Sequence, residues 1–432
     1  MRFQELIERK RDGLTHSRAE LQIIAEAAAK GSAKDYQLSA WLMAAFLRGL
    51  SSDETLWLTQ AMAASGERLD LSSLPHPWVD KHSTGGVGDK TSIVVLPLLA
   101  ACGLTVVKMS GRGLGITGGT IDKLASVPGF RTQLSVEEML AQAKRIGLAL
   151  TGQSAHLAPA DGALYALRDA TGTVESIPLI VSSILSKKIA GGAEVIVLDV
   201  KCGSGALMKT RRDAMRLARA LLGTGEKCGL RVRAMLTDMS QPLGRSAGNL
   251  IEVQEAIRVL SNEQPGRFQT LCIALAGHAL VAAGLEADGR RARGRVREVL
   301  RSGAGLQKAG EWFQAQGGTL SLRDVLALPL AKIQTAVKCR DRGWVQGLNA
   351  ETVGQCVVEL GGGRKSKEDS IDPLVGIETL VEVGARVLEG QPVFRIHAAS
   401  VQDARMADSL LQGAIVTSPA PVRPKLPVLA SL

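Results

Sequence analysis

The chain has 432 residues, which leaves room for two or three domains and a sizeable core. With 45% hydrophobic and 22% charged residues it has the balance of an ordinary folded protein, which excludes wholesale disorder and a membrane-embedded chain. The net charge of +10 raises nucleic acid, an anionic surface or a small anionic ligand as partners.

Glycine is abundant, at 47 residues, while Phe, Trp and Tyr make up only 3%, a combination that favours backbone-rich loops over aromatic platforms. The basic run Arg290, Arg291, Arg293, Arg295, Arg297 and Arg301 reads as the solvated face of a helix. No aromatic residue lies between Ala287 and Glu311, so single-stranded nucleic acid is not the expected partner. Apolar stretches fall short of the ~18–20 residues needed to span a bilayer, so no membrane partner is expected. The start, MRFQELIERKRDG, lacks the apolar core of a signal peptide, and the expected compartment is the cytoplasm. Cys102, Cys202, Cys228, Cys272, Cys339 and Cys356 are scattered without metal-ligand spacing and read as reduced thiols.

In chain order, residues 1–66 read as helical. Ser17 with Glu20 and Ser51 with Glu54 fit the capping box, and Tyr36, Leu38, Trp41, Leu42, Ala45 and Phe46 recur at helical spacing between them. From about Val79 short β-branched runs alternate with Gly turns and amphipathic helices, the texture of a parallel sheet. Leu104–Met109, Gly147–Thr151, Glu194–Val200 and Arg231–Thr237 are the expected strands. Residues 161–190 return to helix and are expected to pack on the N-terminal helices. The expected architecture is therefore α/β: a small all-helical domain (1–66 and 161–190), a larger parallel-sheet α/β domain (70–160 and 191–330) and a C-terminal α+β domain (332–432). Its last residues, SPAPVRPKLPVL, are expected to run as an extended tail.

The chemistry concentrates in three segments. DKHSTGGVGDKTS, residues 80–92, carries glycines into the start of a helix, where backbone N–H groups and the helix end favour an anion. Lys81, Ser83 and Ser92 add a cation and two hydroxyls. It is not a Walker A loop, because Lys90 follows Asp89 and not Gly. KMSGRGLGITGGTIDKL, residues 108–124, adds five glycines with Ser110, Thr117 and Thr120 after a strand. Gly113, Gly115 and Gly118 formally satisfy G-x-G-x-x-G, but the next strand ends in Ala149, Leu150 and Thr151 without the acidic residue of a dinucleotide site. A second wall of an oxyanion site is the better reading. In the third segment, residues 165–188, Ser183 and Lys187 share a helical face. With Arg168 they form a donor set suited to a planar ligand with carbonyl acceptors, such as a nucleobase.

DKHSTGGVGD, SGRGLG, TGGT, YALRD, TVESIPL and SKK, followed by TDMSQPLGRSAGN and GGGRKSKEDSID, resemble in order and spacing the pyrimidine-nucleoside and thymidine phosphorylases. The resemblance covers essentially the whole chain. It implies reversible phosphorolysis of a pyrimidine nucleoside to free base and (deoxy)ribose 1-phosphate. It also implies phosphate contacts at Lys81, His82, Ser83, Ser92, Lys108, Ser110 and Thr120, and base contacts at Arg168, Ser183 and Lys187, lined by Leu114, Tyr165 and Ile180. His82, Arg168 and Lys187 would be catalytic, with His82 hydrogen-bonding or protonating the base O2. No cofactor beyond the phosphate co-substrate is implied, a homodimer is, and the two ligand sites lie on different domains, so closure precedes reaction.

Lys108 resembles the pyrimidine-nucleoside branch, in which uridine is accepted alongside deoxynucleosides; the alternative is a thymidine-restricted enzyme. Ile116, Ala125 and Gly172 depart from the family's usual His, Glu and Ala. The branch is also associated with a monovalent cation, potassium, whose matching positions here are Gly88, Lys90, Leu243, Ser246 and Glu255. Lys90 is the departure there, and its ammonium near Glu255 would take the ion's place. The competing readings are a phosphoribosyltransferase-like relative, a non-catalytic relative and a nucleic-acid-binding protein.

Overall fold

A computed structural model describes all residues except Met1, Leu114, Thr117, Ala155, Lys367 and Glu368. The chain opens with α1 (Phe3–Arg11), α2 (Arg18–Lys30), α3 (Asp35–Arg48) and α4 (Ser52–Ala63). Both expected capping boxes form: Ser17 accepts from the Glu20 N–H and Ser51 from the Glu54 N–H, while each glutamate reaches back to the cap. These helices bury Leu21, Ile24, Trp41, Leu42 and Leu58 in one cluster, which is completed by Ala160, Leu164 and Leu179 of the later helical segment.

The α/β domain follows with β1 (Trp78–Ser83), α5 (Thr91–Ala101), β2 (Thr105–Ser110), α6 (Thr120–Ala125), α7 (Val136–Ile146) and β3 (Leu148–Gly152). The chain then returns to the helical domain through α8 (Pro159–Ala170) and α9 (Ile177–Ala190), as expected from residues 161–190. It re-enters the sheet through β4 (Val195–Cys202), α10 (Arg211–Lys227) and β5 (Arg231–Asp238), each expected strand falling within a residue or two of its place. Strand β6 (Ser246–Gly248) precedes the helices α11 (Leu250–Leu260), α12 (Arg267–Ala282), α13 (Gly289–Arg301), α14 (Ala304–Ala315) and α15 (Leu322–Ala327). The basic helix α13 buries Ala292, Val296 and Leu300 and leaves Arg290, Arg291, Arg297 and Arg301 facing outward.

The C-terminal domain contains β7 (Ile333–Lys338), β8 (Gly343–Leu348), α16 (Ala350–Glu359), β9 (Gly376–Thr379), β10 (Arg386–Val387), β11 (Pro392–Ala398), α17 (Val401–Gln412) and β12 (Ile415–Ser418), and β13 (Val428–Ser431) ends the chain. The main sheet runs β13-β5-β4-β1-β2-β3, parallel from β5 to β3. Strand order reverses at β1, between β4 and β2, and the carboxyl ends at such a switch point form a natural ligand crevice.

Two strands cross the expected domain boundaries. β6, from the α/β segment, pairs antiparallel with β9 in the sheet β6-β9-β11-β7. The proline-rich end is not a free tail: β13 pairs antiparallel with β5 and covers that edge of the main sheet. Leu429, Ala430 and Leu432 pack on the adjacent core. Prolines exclude pairing only where a donor is needed, and Val428–Ser431 lies beyond the last of them. Removing residues 428–432 therefore uncovers the edge of β5 and takes away the apolar contacts of Leu429, Ala430 and Leu432. We expect a loss of about 2–3 kcal/mol in urea unfolding and a greater tendency to associate; an unchanged unfolding midpoint would contradict this role for the strand.

Candidate active site

A cavity of about 440 Å³ lies over the carboxyl ends of β1 and β2 and beneath α8 and α9. Its floor comes from the two glycine-rich segments. After β1, His82, Ser83, Thr84 and Gly85 line it, and Ser92 reaches it from the first turn of α5. The Ser83 hydroxyl is tied to Asp89 Oδ2, and the Gly85 N–H donates to Ser83 Oγ at 3.2 Å. After β2, Lys108, Ser110, Gly111, Gly113, Gly118, Gly119 and Thr120 form the second wall. This second segment folds tightly on itself: a Cβ on Gly119 would collide with the Gly113 nitrogen.

The roof is the nucleobase-type donor set. Arg168 is buried and donates to the carbonyls of Val174 at 2.7 Å and Leu179 at 3.1 Å, which fixes its guanidinium at the cavity edge. Gly172, in the turn that leads to the Val174 carbonyl, has φ +65°, a conformation that suits glycine better than the family's alanine. Lys187 Nζ donates to Ser183 Oγ at 3.0 Å and pairs with Asp161, while Tyr165 lies beneath it, 5.7 Å from ring centroid to ammonium. Ile180 lines the same end. Leu114 lies outside the described residues.

Lys81 does not join the cavity. Side chains alternate along a strand, so Lys81 and His82 leave β1 on opposite faces. Lys81 is fully buried, donates to Thr91 Oγ1 and lies 3.9 Å from Asp199 Oδ2. The expectation that its ammonium faces a phosphate is corrected on this point. It belongs to an ionic layer under the first glycine loop. There Lys201 pairs with Asp199 at 2.7 Å and Lys123 with Glu252 at 2.7 Å, and Lys123 also donates to the Asp89 carbonyl at 2.7 Å. Burial opposes ionisation of Asp89, but the ammoniums of Lys201, Lys81 and Lys123 hold its carboxyl well below the usual range.

The implied potassium site is filled from within the chain. Lys90 Nζ lies 2.7 Å from the Leu243 carbonyl, 2.8 Å from that of Ser246 and 2.8 Å from Glu255 Oε2. Gly88 is pressed against the same two carbonyls, 2.8 Å from where its Cβ would stand. An ammonium already occupies the oxygen cradle, so the residues present do not fit a metal ion there, and the expected cation site is corrected accordingly.

A third cluster was not legible in the motifs. Asp80 Oδ2 accepts from Lys188 at 2.6 Å and Oδ1 from Lys108 at 3.1 Å, just behind His82. Burial, opposed by Asp80 and assisted by Lys188 and Lys81, pulls Lys108 down to about 7. The same burial, followed by the charges of Lys188, Lys108, Lys187 and Lys81, pushes His82 well below the usual imidazole value of 6.5. Arg364, from the C-terminal domain, also lines the cavity. The adjacent pair in SKK was the available signal for Lys188; for Arg364 only the GGGRK motif pointed to importance, and nothing in it gave a location.

Comparison with known proteins agrees with this layout. The model described as Glycosyl transferase family, a/b domain, matches residues 75–306, the Glycosyl transferase family helical bundle domain matches 4–66, and the Pyrimidine nucleoside phosphorylase C-terminal domain matches 344–418. The chain is 47% identical over 399 residues to a pyrimidine-nucleoside phosphorylase of Geobacillus stearothermophilus, covering 92% of each chain. It belongs to the pyrimidine-nucleoside phosphorylase family. A relative of the same description in Bacillus subtilis (strain 168) is 45% identical with the same coverage. The crystal structure of anthranilate phosphoribosyltransferase from Thermus thermophilus matches 72% of this chain and 99% of its own with a TM-score of 0.58. At 20% identity this likeness extends to the fold alone.

The burial of His82 and the four lysines around it give a direct test. In the ligand-free protein the His82 ring, assigned by difference from His82→Gln, is expected to titrate well below the usual 6.5 in proton NMR. Adding phosphate should raise its pKa by offsetting those charges. Ordinary titration near 6.5 without phosphate would contradict this electrostatic arrangement.

Proposed function

We propose that the cavity carries out reversible phosphorolysis of pyrimidine nucleosides, with phosphate as co-substrate and no other cofactor. The observation that carries the reading is the facing of two sites across one cavity. An anion wall on the α/β domain, Ser83, Ser92, Lys108, Ser110 and Thr120, opposes a planar-ligand donor set on the helical domain, Arg168, Ser183 and Lys187. A phosphate oxygen attacks C1′ of the sugar as the bond from C1′ to the base nitrogen breaks. The bonding pair leaves with the base, where its charge spreads over the ring carbonyls. Arg168 and Lys187 stabilise that charge, a contribution of several kcal/mol per donor once water is excluded. His82, neutral in the free protein, donates an N–H hydrogen bond to the base O2 and becomes a stronger hydrogen-bonding partner as the phosphate dianion favours its protonated form. Because the two sets stand on different domains, the helical domain closes on the sheet domain before reaction.

Lys108 supports a broad sugar range, since its ammonium lines the cavity beside His82, where a ribose hydroxyl can accept from it. Lys90 supports independence from potassium, as its ammonium holds the cradle that an ion would need. A homodimer is supported by α3, which exposes Tyr36, Ala40, Met43 and Leu47 in a single stripe, with Tyr36 74% and Leu47 71% exposed.

Two experiments test this. Incubation with uridine, thymidine, deoxyuridine or cytidine, with and without phosphate, should release free base from the first three only when phosphate is present; release from none would overturn the reading. In the same assay Lys108→Ala should cut kcat/KM for uridine at least as much as for thymidine, and a loss confined to thymidine would exclude the ribose contact. Separately, turnover should be the same in potassium and in a bulky organic cation at equal ionic strength. Lys90→Ala, which empties the cradle, should acquire potassium dependence, whereas a wild type strongly activated by potassium would refute the substitution.

A further inference from the structure

One cation in the cavity wall comes from neither the helical nor the α/β domain. Arg364 follows α16 and the run Gly361–Gly363, yet it lines the cavity beside Gly113 and Thr120 and is only 9% exposed. Its Nη2 donates to Asp122 Oδ1 at 2.9 Å and its Nη1 to the Gly113 carbonyl at 3.4 Å. The other oxygen of Asp122 accepts the Gly113 N–H at 2.6 Å. One guanidinium and one carboxylate thus hold both backbone polar groups of Gly113, at the point where the second glycine segment closes on Gly119.

The C-terminal domain is fitted to this segment elsewhere too. A Cβ on Gly354 would stand 2.9 Å from the Ile116 carbonyl and one on Gly363 3.4 Å from that of Gly115. Ile116 packs against the C-terminal core, where the family's histidine would place a polar ring. Asn249, at the start of α11, donates to the Gly362 carbonyl at 2.8 Å. The glycine run is therefore held flush against both the sheet domain and the second glycine segment, and Arg364 projects from its end.

We propose that Arg364 is a positioning residue for phosphate: through Asp122 and Gly113 it fixes the second glycine segment, and thereby makes the C-terminal domain part of the anion site. This rests on the phosphorolytic reading above. A planar fork reaches two acceptors at once, which a lysine cannot do in the same fixed geometry. Without it Asp122 is left as a buried, uncompensated carboxylate beside an anion site, and the hydroxyls of Ser110 and Thr120 lose their fixed spacing.

The test compares the full-length wild type with Arg364→Met, Arg364→Lys and Asp122→Asn, with thermal unfolding recorded for each. Arg364→Met should raise the phosphate KM roughly 10- to 100-fold, a size typical of lost positioning, and leave the nucleoside KM nearly unchanged. Arg364→Lys should fall between, added guanidinium ion should restore part of the Met variant's phosphate affinity, and Asp122→Asn should add little in the Arg364→Met background. An unchanged phosphate KM, or parallel rises in both KM values, would overturn the proposal. If Arg364→Met does not fold, the Lys and Asn variants decide it by the same split. If the wild type turns over no nucleoside, the functional reading fails instead, and phosphate titration by calorimetry still reports whether Arg364→Lys weakens the anion site.

Discussion

The layer of buried ion pairs beneath the first glycine loop is the constraint on which the rest of the site depends. Lys81, Lys90, Lys123 and Lys201 are all fully buried, and they face Asp89, Asp199, Glu252 and Glu255. Desolvating such charges costs several kcal/mol each, so the layer is tolerable only because each ammonium meets a carboxylate and most also meet a carbonyl or hydroxyl. Its effect is geometric. Lys123 grips the Asp89 carbonyl, Asp89 takes the hydroxyls of Ser83 and Thr91, and Lys90 ties the loop's end to Leu243 and Ser246. The glycine loop, which has little side-chain packing of its own, is held in shape from below.

Above that balanced layer the charges are uneven. Lys108 and Lys188 share the single carboxylate of Asp80, and Arg168 is satisfied by carbonyls, with no carboxylate bonded to it among the described residues. The cavity is therefore left with cationic character that a phosphate dianion and a base carrying developing negative charge can both satisfy. Burial, assisted by the same imbalance, pushes the His82 imidazole well below its usual value. Burial and neighbouring charge act in the same direction on His82 but in opposite directions on Asp80, which is why one is held neutral and the other ionised.

The third domain is joined to the other two by backbone pairing as well as by side chains. β6 leaves the α/β segment to extend the C-terminal sheet, and β13 returns from the C-terminus to close the main sheet. Each exchange covers a strand edge that would otherwise present unpaired N–H and C=O groups. With these pairings fixing the domain, the glycine run before Arg364 can lie closely against the second loop.

Much of this was legible in the sequence because it is local. Capping boxes, β-branched runs and the spacing of Ser183 and Lys187 depend on neighbours within a few residues, and so the helices, the strands of the parallel sheet and the base-facing set fall where the pattern puts them. The sequence by itself also determined the two glycine walls and the family to which the chain belongs. Only the tertiary structure decided which face of β1 Lys81 takes, that Lys90 fills the cradle made by Leu243, Ser246 and Glu255, that the proline-rich end becomes a strand, and that Arg364 meets Asp122 across 242 positions. Each of these depends on a partner distant in sequence, and a residue pattern carries no record of which distant charge or strand edge will be left unsatisfied until the chain has folded around it.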